Sequence, residues 1–539
     1  MKNAYINGII HTMNDHRVVE AMLVDDEKIK NIGTTKEILE LVDDNTQVID
    51  LEQKVVIPGF IDSHLHGLLS SQKMSQVDLS QAKSIDDLVN ITKDTMPKNL
   101  KDGDWVIGRG WNQDYFDIKK FPTKDDLDRI STDVPICLIR ACIHICVVNS
   151  KALEIINLDK NNLPQLSDGE IYTDENGDLN GLFSETALTY VYSNFPKLAL
   201  NDIKELILNF NKHLNSEGIT SIQTDDFTAL PGVEYHEVMQ AYQELAKDKK
   251  LTVKVYQQCL LPKVNLLKDF LAKGYRTKQD FGFYRIGPLK LLLDGSLGAR
   301  TAVIEGGYAD APEEKGISTY DDNELYELGK IAQENDLQMA IHGIGDGATN
   351  QIMRLYSRLN KEMPKDNSRH GIVHCQITET PALEQIAKEK VVVYAQPIFL
   401  HYDIHIVDSR VGAKKGKTSY AFKTLMDKGV SVSMGTDSPV EPTNPFNNIY
   451  CAITRKDLNN TFDKGWNEHE CLSVYEAIRA YTYEGAYQSF EEDYKGTLEV
   501  GKVADFAVLN QDIFSVDVED IPKTQVLKTV VNGKLVYTK

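Results

Sequence analysis

The sequence lacks the cysteine arrangement of a stapled or zinc-ribbon domain. Its seven cysteines stand at 137, 142, 146, 259, 375, 451 and 471, and no two form a Cys-x-x-Cys pair. An odd, scattered set predicts reduced, mostly buried thiols in a cytoplasmic protein. Cys142 and Cys146 have helix-like spacing, but their apolar, β-branched surroundings favour a strand or core position over a ligand pair. No apolar run reaches membrane-spanning length, and the N-terminus lacks a charged-then-apolar leader. Basic patches are also missing. The formal net charge is −21, which argues against nucleic acid or an anionic membrane as partner. No glycine-rich phosphate loop follows a strand, since Gly343-Ile-Gly345 is too short. Internal repeats and low-complexity tracts are absent too. What remains is a 539-residue chain, long enough for one large domain with accessories.

The most informative positive feature is the run Val55-Val-Ile-Pro-Gly-Phe-Ile-Asp-Ser-His-Leu-His66. An apolar strand there delivers two imidazoles two residues apart, and residues i and i+2 of a strand share a face. His64 and His66 can therefore reach one metal ion, although two histidines at a strand end are also ordinary turn residues. Three further runs end in the same way: Leu337-Gln-Met-Ala-Ile-His342, His370-Gly-Ile-Val-His374 and Val430-Ser-Val-Ser-Met-Gly-Thr-Asp437. A fourth, Gly287-Pro-Leu-Lys-Leu-Leu-Leu-Asp-Gly295, carries Lys290 in apolar company. In a barrel of parallel strands all such ends converge on one mouth.

Apolar runs bounded by turn residues predict eight strands, near 57–63, 219–223, 252–258, 286–293, 337–342, 371–375, 391–396 and 430–434. Helical patterns lie between the later ones, at Asp322 to Asn335, Gly347 to Asn360 and Thr380 to Lys390. Strands alternating with helices predict an α/β fold, a (β/α)8 TIM barrel over 57–491. The gap after the first strand is too long for one crossover helix, so 70–205 is predicted to be an insertion subdomain. Both chain ends show short alternating runs, and Ile6-Asn-Gly8, Asp25-Asp-Glu-Lys28 and Asn532-Gly533 read as hairpin turns. A β-sandwich built from 1–56 and 492–539 is expected.

Together these motifs resemble the amidohydrolase superfamily, and within it amidohydrolase family 3, the N-substituted formamide deformylase-like metal-dependent hydrolases. The resemblance rests on the histidine run, on Lys290 to Ala302, on Ala340 to Asp346, on Gly435 to Pro442 and on Gly496 to Asp505. In the insertion it rests on Gly110-Trp-Asn-Gln113, His144 and Val148-Asn-Ser150. It implies that His64 and His66 hold the more buried metal, and that His342 and His374 hold a second. Lys290 would react with CO2 to give a carbamate bridging two ions; its bland alternative is an ion-paired or snorkelling lysine. Asp437 would touch the first metal and the nucleophilic water. One or two divalent cations, Zn2+ first among them, are the implied cofactors.

His144 is expected either to enter the active site or to be a core histidine between Ile143 and Ile145. Gln113, Trp111, Asp294 and Arg300 are expected to line the pocket, with a structural Asp294–Arg300 ion pair as the alternative. Gly108-Arg-Gly-Trp111 reads as a turn. Glu185 reads by default as a solvated carboxylate, and His370 as packing. Val373 replaces an acidic residue that relatives often carry before the sixth-strand histidine, which removes a partner able to tune that ligand.

The activity implied is hydrolysis of the C–N bond of an amide, an N-formyl or N-acyl amine, or a cyclic amide, by metal-activated water. Asp437 would take the water's proton and pass it to the leaving nitrogen. A mononuclear deaminase is the rival enzyme; it would place a glutamate shortly after His342, where the sequence has Asp346. A non-catalytic scaffold is the rival of another class. The partner is a small-molecule substrate, and the sequence is compatible with a homo-oligomer.

Overall fold

The computed structural model describes residues 2–98, 100, 101, 103–142, 144–166 and 169–539. They fall into two compact units, residues up to Ser70 with Leu200–Lys539, and Ser71–Ala199.

The first unit is built on an eight-stranded parallel sheet wound into a barrel. Its strands in chain order are Phe60–Leu65, Ile219–Thr224, Lys254–Leu260, Tyr284–Leu292, Met339–Gly343, Gly371–His374, Val392–Ala395 and Val432–Met434. All eight predicted strands are present, and their spatial order follows the sequence. Most of their residues are buried, as expected when helices cover one face of a parallel sheet and a packed interior fills the other. The crossover helices start where local chemistry dictates. Asp321 caps Asp322–Glu334 in a reciprocal pair with Glu324, and the next helices run Asp346–Glu362 and Thr380–Glu389.

Closure occurs at the candidate ligands. The Asp437 amide donates to the His64 carbonyl at 2.8 Å, and the His66 amide donates to the Ser438 carbonyl at 2.8 Å. One step earlier along both segments the Asp62 carboxylate accepts from the Thr436 hydroxyl at 2.7 Å. Gly435 stands where a Cβ would lie 2.5 Å from the His64 nitrogen, so only glycine lets the eighth strand approach the first this closely.

The chain termini supply two more sheets. One has the order Lys28–Gly33, Ala21–Asp25, Lys2–Ile6, Thr46–Asp50. The other has the order Lys534–Thr538, Val526–Val531, Phe506–Leu509, Val55–Pro58, Ile9–His11, Val18–Val19. Val56 pairs with Val508 across the two ends of the chain. Tyr5, Met22, Val24 and Ile29 from one sheet share a core with Ile10, Val56, Phe506 and Val530 from the other, which makes a sandwich. A buried ion pair, Lys254 to Asp505 at 2.5 Å, ties the start of the third barrel strand to this sandwich. Asp25–Lys28 and Asn532-Gly533 are hairpin turns. The segment Ile6-Asn7-Gly8 is not, because the strands on its two sides join different sheets.

The second unit has a six-stranded sheet, ordered Ile171–Thr173, Leu179–Ser184, Ile145–Val148, Ile136–Arg140, Val106–Trp111, Val77–Asp78. The expected turn at Gly108–Trp111 is therefore a strand, its register kinked between Arg109 and Trp111. Cys137 and Cys146 are buried in this sheet, and all seven cysteines are free thiols. Among the described residues no helix is long and apolar enough to cross a membrane.

Candidate metal centre at the barrel mouth

Six side chains named from the sequence meet at the C-terminal ends of five barrel strands. His64 and His66 leave the first strand with ring centroids 5.3 Å apart. His374 from the sixth strand lies 5.5 Å from His64 and 4.4 Å from His342 of the fifth, again between centroids. Lys290 on the fourth strand is wholly buried, its Nζ 3.2 Å from His64 Nε2. Asp437, after the eighth strand, places Oδ1 3.1 Å from His66 Nε2 and 3.4 Å from His64 Nε2. Among the described residues, His64, His66 and Asp437 form a group whose ligand atoms all lie within 4.8 Å of one another. Both His374 and Asp437 have left-handed backbones, at φ 77° and 57°. Non-glycine residues hold that conformation only where the surroundings enforce it, and such positions cluster at functional sites.

The surroundings of these rings decide how they can act. Each imidazole is bonded through Nδ1 to an oxygen acceptor. For His64 this is Gln258 Oε1 at 2.7 Å, and for His374 it is Gln396 Oε1 at 2.7 Å. For His342 it is Asp294 Oδ1 at 3.0 Å, and for His66 the Asp225 carbonyl at 3.1 Å. In a neutral ring an acceptor at Nδ1 fixes the proton there and leaves Nε2 as the ligand atom, which is the form that binds a metal. Asp437 Oδ1 is buried without a hydrogen bond. Four imidazoles anchored through Nδ1, beside an orphaned carboxylate oxygen, make a donor set that fits a divalent cation such as zinc.

Electrostatics within the protein separate His66 from His64 and His374. Burial, then the Lys290 charge, pushes the His64 ring far below its ordinary pKa; burial, then His342, does so for His374. Burial alone would raise the Asp437 carboxyl, but the close approach of His66 and the nearby His64 and His374 hold it well below the carboxylate range. Burial opposes charge on His66, yet with no cation present the close approach of Asp437 prevails and lifts it to about 9. Lys290 is pushed down by burial, against the pull of Asp225 and Asp437. A lysine whose ammonium is disfavoured is the kind that supplies the free amine needed to react with CO2.

The remaining expected site residues have the following partners. Asp294 does not pair with Arg300. Its carboxylate orients His342 and accepts the amides of Val303, Ile344 and Gly345, whereas Arg300 pairs with Asp310 at 2.9 Å. In the second unit, Trp111 is 0 % exposed in the core, and its indole N–H donates to the Leu138 carbonyl. A ring enclosed on all sides cannot wall a pocket, which corrects that expectation. Gln113 Oε1 accepts from Arg140 Nε at 2.8 Å. The side chain of His144 is 62 % exposed and bonded through Nδ1 to Glu185 at 2.8 Å, so the core alternative fails; Ile143 lies outside the described residues. Glu185 is thus partnered rather than merely solvated. His370 is buried packing, as expected: its Nδ1 accepts the Met339 amide and its Nε2 donates to Gln333.

Sequence reasoning missed Gln258, Gln396 and Asp225. Their one local signal is a polar residue within or just after an apolar strand, the same signal that marked His342 and Asp437. Gln396 fills the role left open by Val373, because the neighbouring strand supplies the partner that the residue before His374 does not.

The sequence model of the family described as "Amidohydrolase family" matches residues 47–537. The chain belongs to this amidohydrolase family. It is 32% identical over 544 residues to YtcJ of Bacillus subtilis (strain 168), named as an amidohydrolase, covering 100% of both chains. It is 23% identical to N-substituted formamide deformylase of Arthrobacter pascens, covering 99% of this chain and 98% of the other. Among solved structures, an uncharacterized metal-dependent hydrolase from Pyrococcus furiosus superposes with a TM-score of 0.79. The two are 28% identical, and the match covers 96% of this chain and 100% of that one. The Escherichia coli guanine deaminase shares the fold alone, at a TM-score of 0.55 and 14% identity.

Proposed function

We propose that this amidohydrolase is a divalent-metal-dependent hydrolase of C–N bonds in N-formyl or N-acyl amines, other amides or cyclic amides. The observation that carries the reading is the shared Nδ1 anchoring of His64, His66, His342 and His374, with the Nε2 atoms of His64 and His66 beside Asp437 and that of His64 also beside Lys290. His64, His66 and Asp437 would hold one cation. His342, His374 and Lys290, the last as a carbamate formed from CO2, would hold a second. When bound, such cations, most simply Zn2+, lower the pKa of water and polarise a carbonyl.

The protein's own residues then do the rest. Asp437 is ionised and within reach of the centre, so it accepts the proton of the attacking water and returns it to the leaving nitrogen. Gln258, Gln396 and Asp294 hold the ring tautomers while charge develops. A deaminase reading needs a free carboxyl soon after His342. Asp346 is not free, because Lys415 and the Glu305 amide occupy its oxygens.

The test is elemental analysis of protein purified without chelator, for wild type and Lys290→Ala, with a screen of N-formyl and N-acyl amines. About two metal equivalents in the wild type, a sharp fall in the variant, and release of an amine plus a carboxylate are expected. Release of ammonia from an aminated ring would move the chain to the deaminases. No metal after supply of zinc and bicarbonate would leave a scaffold.

A further inference from the structure

Asp225 follows the second barrel strand and so occupies the station at the mouth that Asp437 occupies after the eighth. Its backbone is fixed on both sides: the amide donates to the Leu65 carbonyl at 2.9 Å, and the carbonyl accepts from His66 Nδ1. The side chain is 1 % exposed, yet neither carboxylate oxygen has a hydrogen bond. The next residue shows what a satisfied carboxylate looks like here. Asp226, equally buried, accepts the Leu68 amide at 2.9 Å and the Tyr242 hydroxyl at 2.7 Å.

Buried carboxylates are ordinarily hydrogen-bonded, paired or bound to metal. The cation facing Asp225 is Lys290, whose Nζ is 3.9 Å from Oδ2, too far for a hydrogen bond. Protonation would not resolve the problem, since a neutral carboxyl would still leave an O–H and a C=O without partners. Conversion of Lys290 to a carbamate would sharpen it by setting two anions against each other. A metal cation within reach of its oxygens would satisfy Asp225 in either state of the lysine.

We propose that Asp225 is a further oxygen ligand of the metal centre, on the Lys290 side of the cluster. A carboxylate there supplies a hard donor alongside the imidazoles whether or not Lys290 carries a carbamate, and favours borderline or harder divalent ions over soft ones. The proposal rests on the reading that the cluster holds divalent cations.

The experiment compares wild type, Asp225→Asn and Asp226→Asn as full-length protein stripped with chelator. Each is titrated with Zn2+ against a chromophoric chelator, and each is loaded with Co2+ for its visible absorption spectrum. Asp225→Asn is expected to bind Zn2+ at least about tenfold more weakly or with lower stoichiometry, and to shift the Co2+ bands. Asp226→Asn is expected to lower the melting temperature while keeping the affinity and the spectrum. An Asp225→Asn protein with wild-type affinity, stoichiometry and spectrum overturns the proposal even if it melts earlier, because Asp225 would then be only a counter-charge to Lys290. If Asp225→Asn does not fold, Asp225→Glu decides: a shifted Co2+ spectrum supports ligation and an unchanged one refutes it. Wild type that takes up no metal removes the proposed function itself, a failure distinct from wild type and Asp225→Asn binding alike.

Discussion

Gln396 Oε1 lies 2.7 Å from His374 Nδ1, so the sixth-strand histidine is oriented from the seventh strand. Leaving that buried N–H without an acceptor costs about 1–3 kcal/mol and frees the ring to turn. Gln396→Met should keep the fold and lower metal affinity by about 10–100-fold. Chelator competition on the purified variant checks this; unchanged affinity would reduce Gln396 to packing.

Asp437 combines contact with His64 and His66 with a carboxyl that stays ionised. Asp437→Asn should therefore reduce kcat by at least about 10²-fold, the usual loss on removing a general base. The circular dichroism spectrum should be unchanged. Steady-state kinetics on an N-formyl amine with the metal-loaded variant is the measurement, and near-wild-type turnover would assign the proton transfer elsewhere.

The barrel seam makes a prediction about stability. In Gly435→Ala the new methyl would stand 2.5 Å from the His64 nitrogen and 2.8 Å from Asp62 Oδ1. Overpacking of this kind costs about 1–3 kcal/mol. A lower melting temperature and weaker metal binding should appear together, because the strand that must move carries Asp437. Loss of one without the other would show that seam and site are independent.

Acid should destabilise the protein partly through His370. Burial, with a smaller effect of Lys365, pushes its ring from 6.5 down to about 3. The folded state thus stays neutral where the unfolded state takes up a proton. The stabilisation is complete above pH 6.5 and is lost as pH falls from there toward 3. Denaturant unfolding across that window should show His370→Gln less stable at neutral pH and with a shallower pH slope than wild type. Parallel slopes would remove His370 from the acid response.

Metal removal should act on stability as well as on rate. A cation that binds only the folded chain adds about 2.7 kcal/mol when present at about 100 times its Kd. The melting temperature should fall on dialysis against chelator and recover with added Zn2+. A melting curve indifferent to both would argue against a folded-state metal site.

The barrel was legible because its signals are local. Alternation of side chains put His64 and His66 on one face, and the rule that parallel strand ends share a mouth joined them to Lys290, His342, His374 and Asp437. The Asp25–Lys28 and Asn532-Gly533 hairpins were readable from turn chemistry. Trp111 and the Gly108–Trp111 strand were misread because glycines around an aromatic residue look like a turn until a second strand, Ile136–Arg140, is seen to pair with them. Ile6-Asn7-Gly8 failed for a related reason: a turn signal does not say whether the next strand stays in the same sheet.

The sequence by itself determined which residue types stand at which strand ends, because period-two alternation and turn-bounded apolar runs depend only on neighbours along the chain. Tertiary structure alone decided their partners. That Gln258 faces His64, Gln396 faces His374, Asp294 faces His342 and not Arg300, and Asp225 lies against Lys290 depends on register between strands 22 to 194 residues apart. So does the pairing of Val56 with Val508. Register is set by packing of the whole barrel and sandwich, and no short segment of sequence contains it.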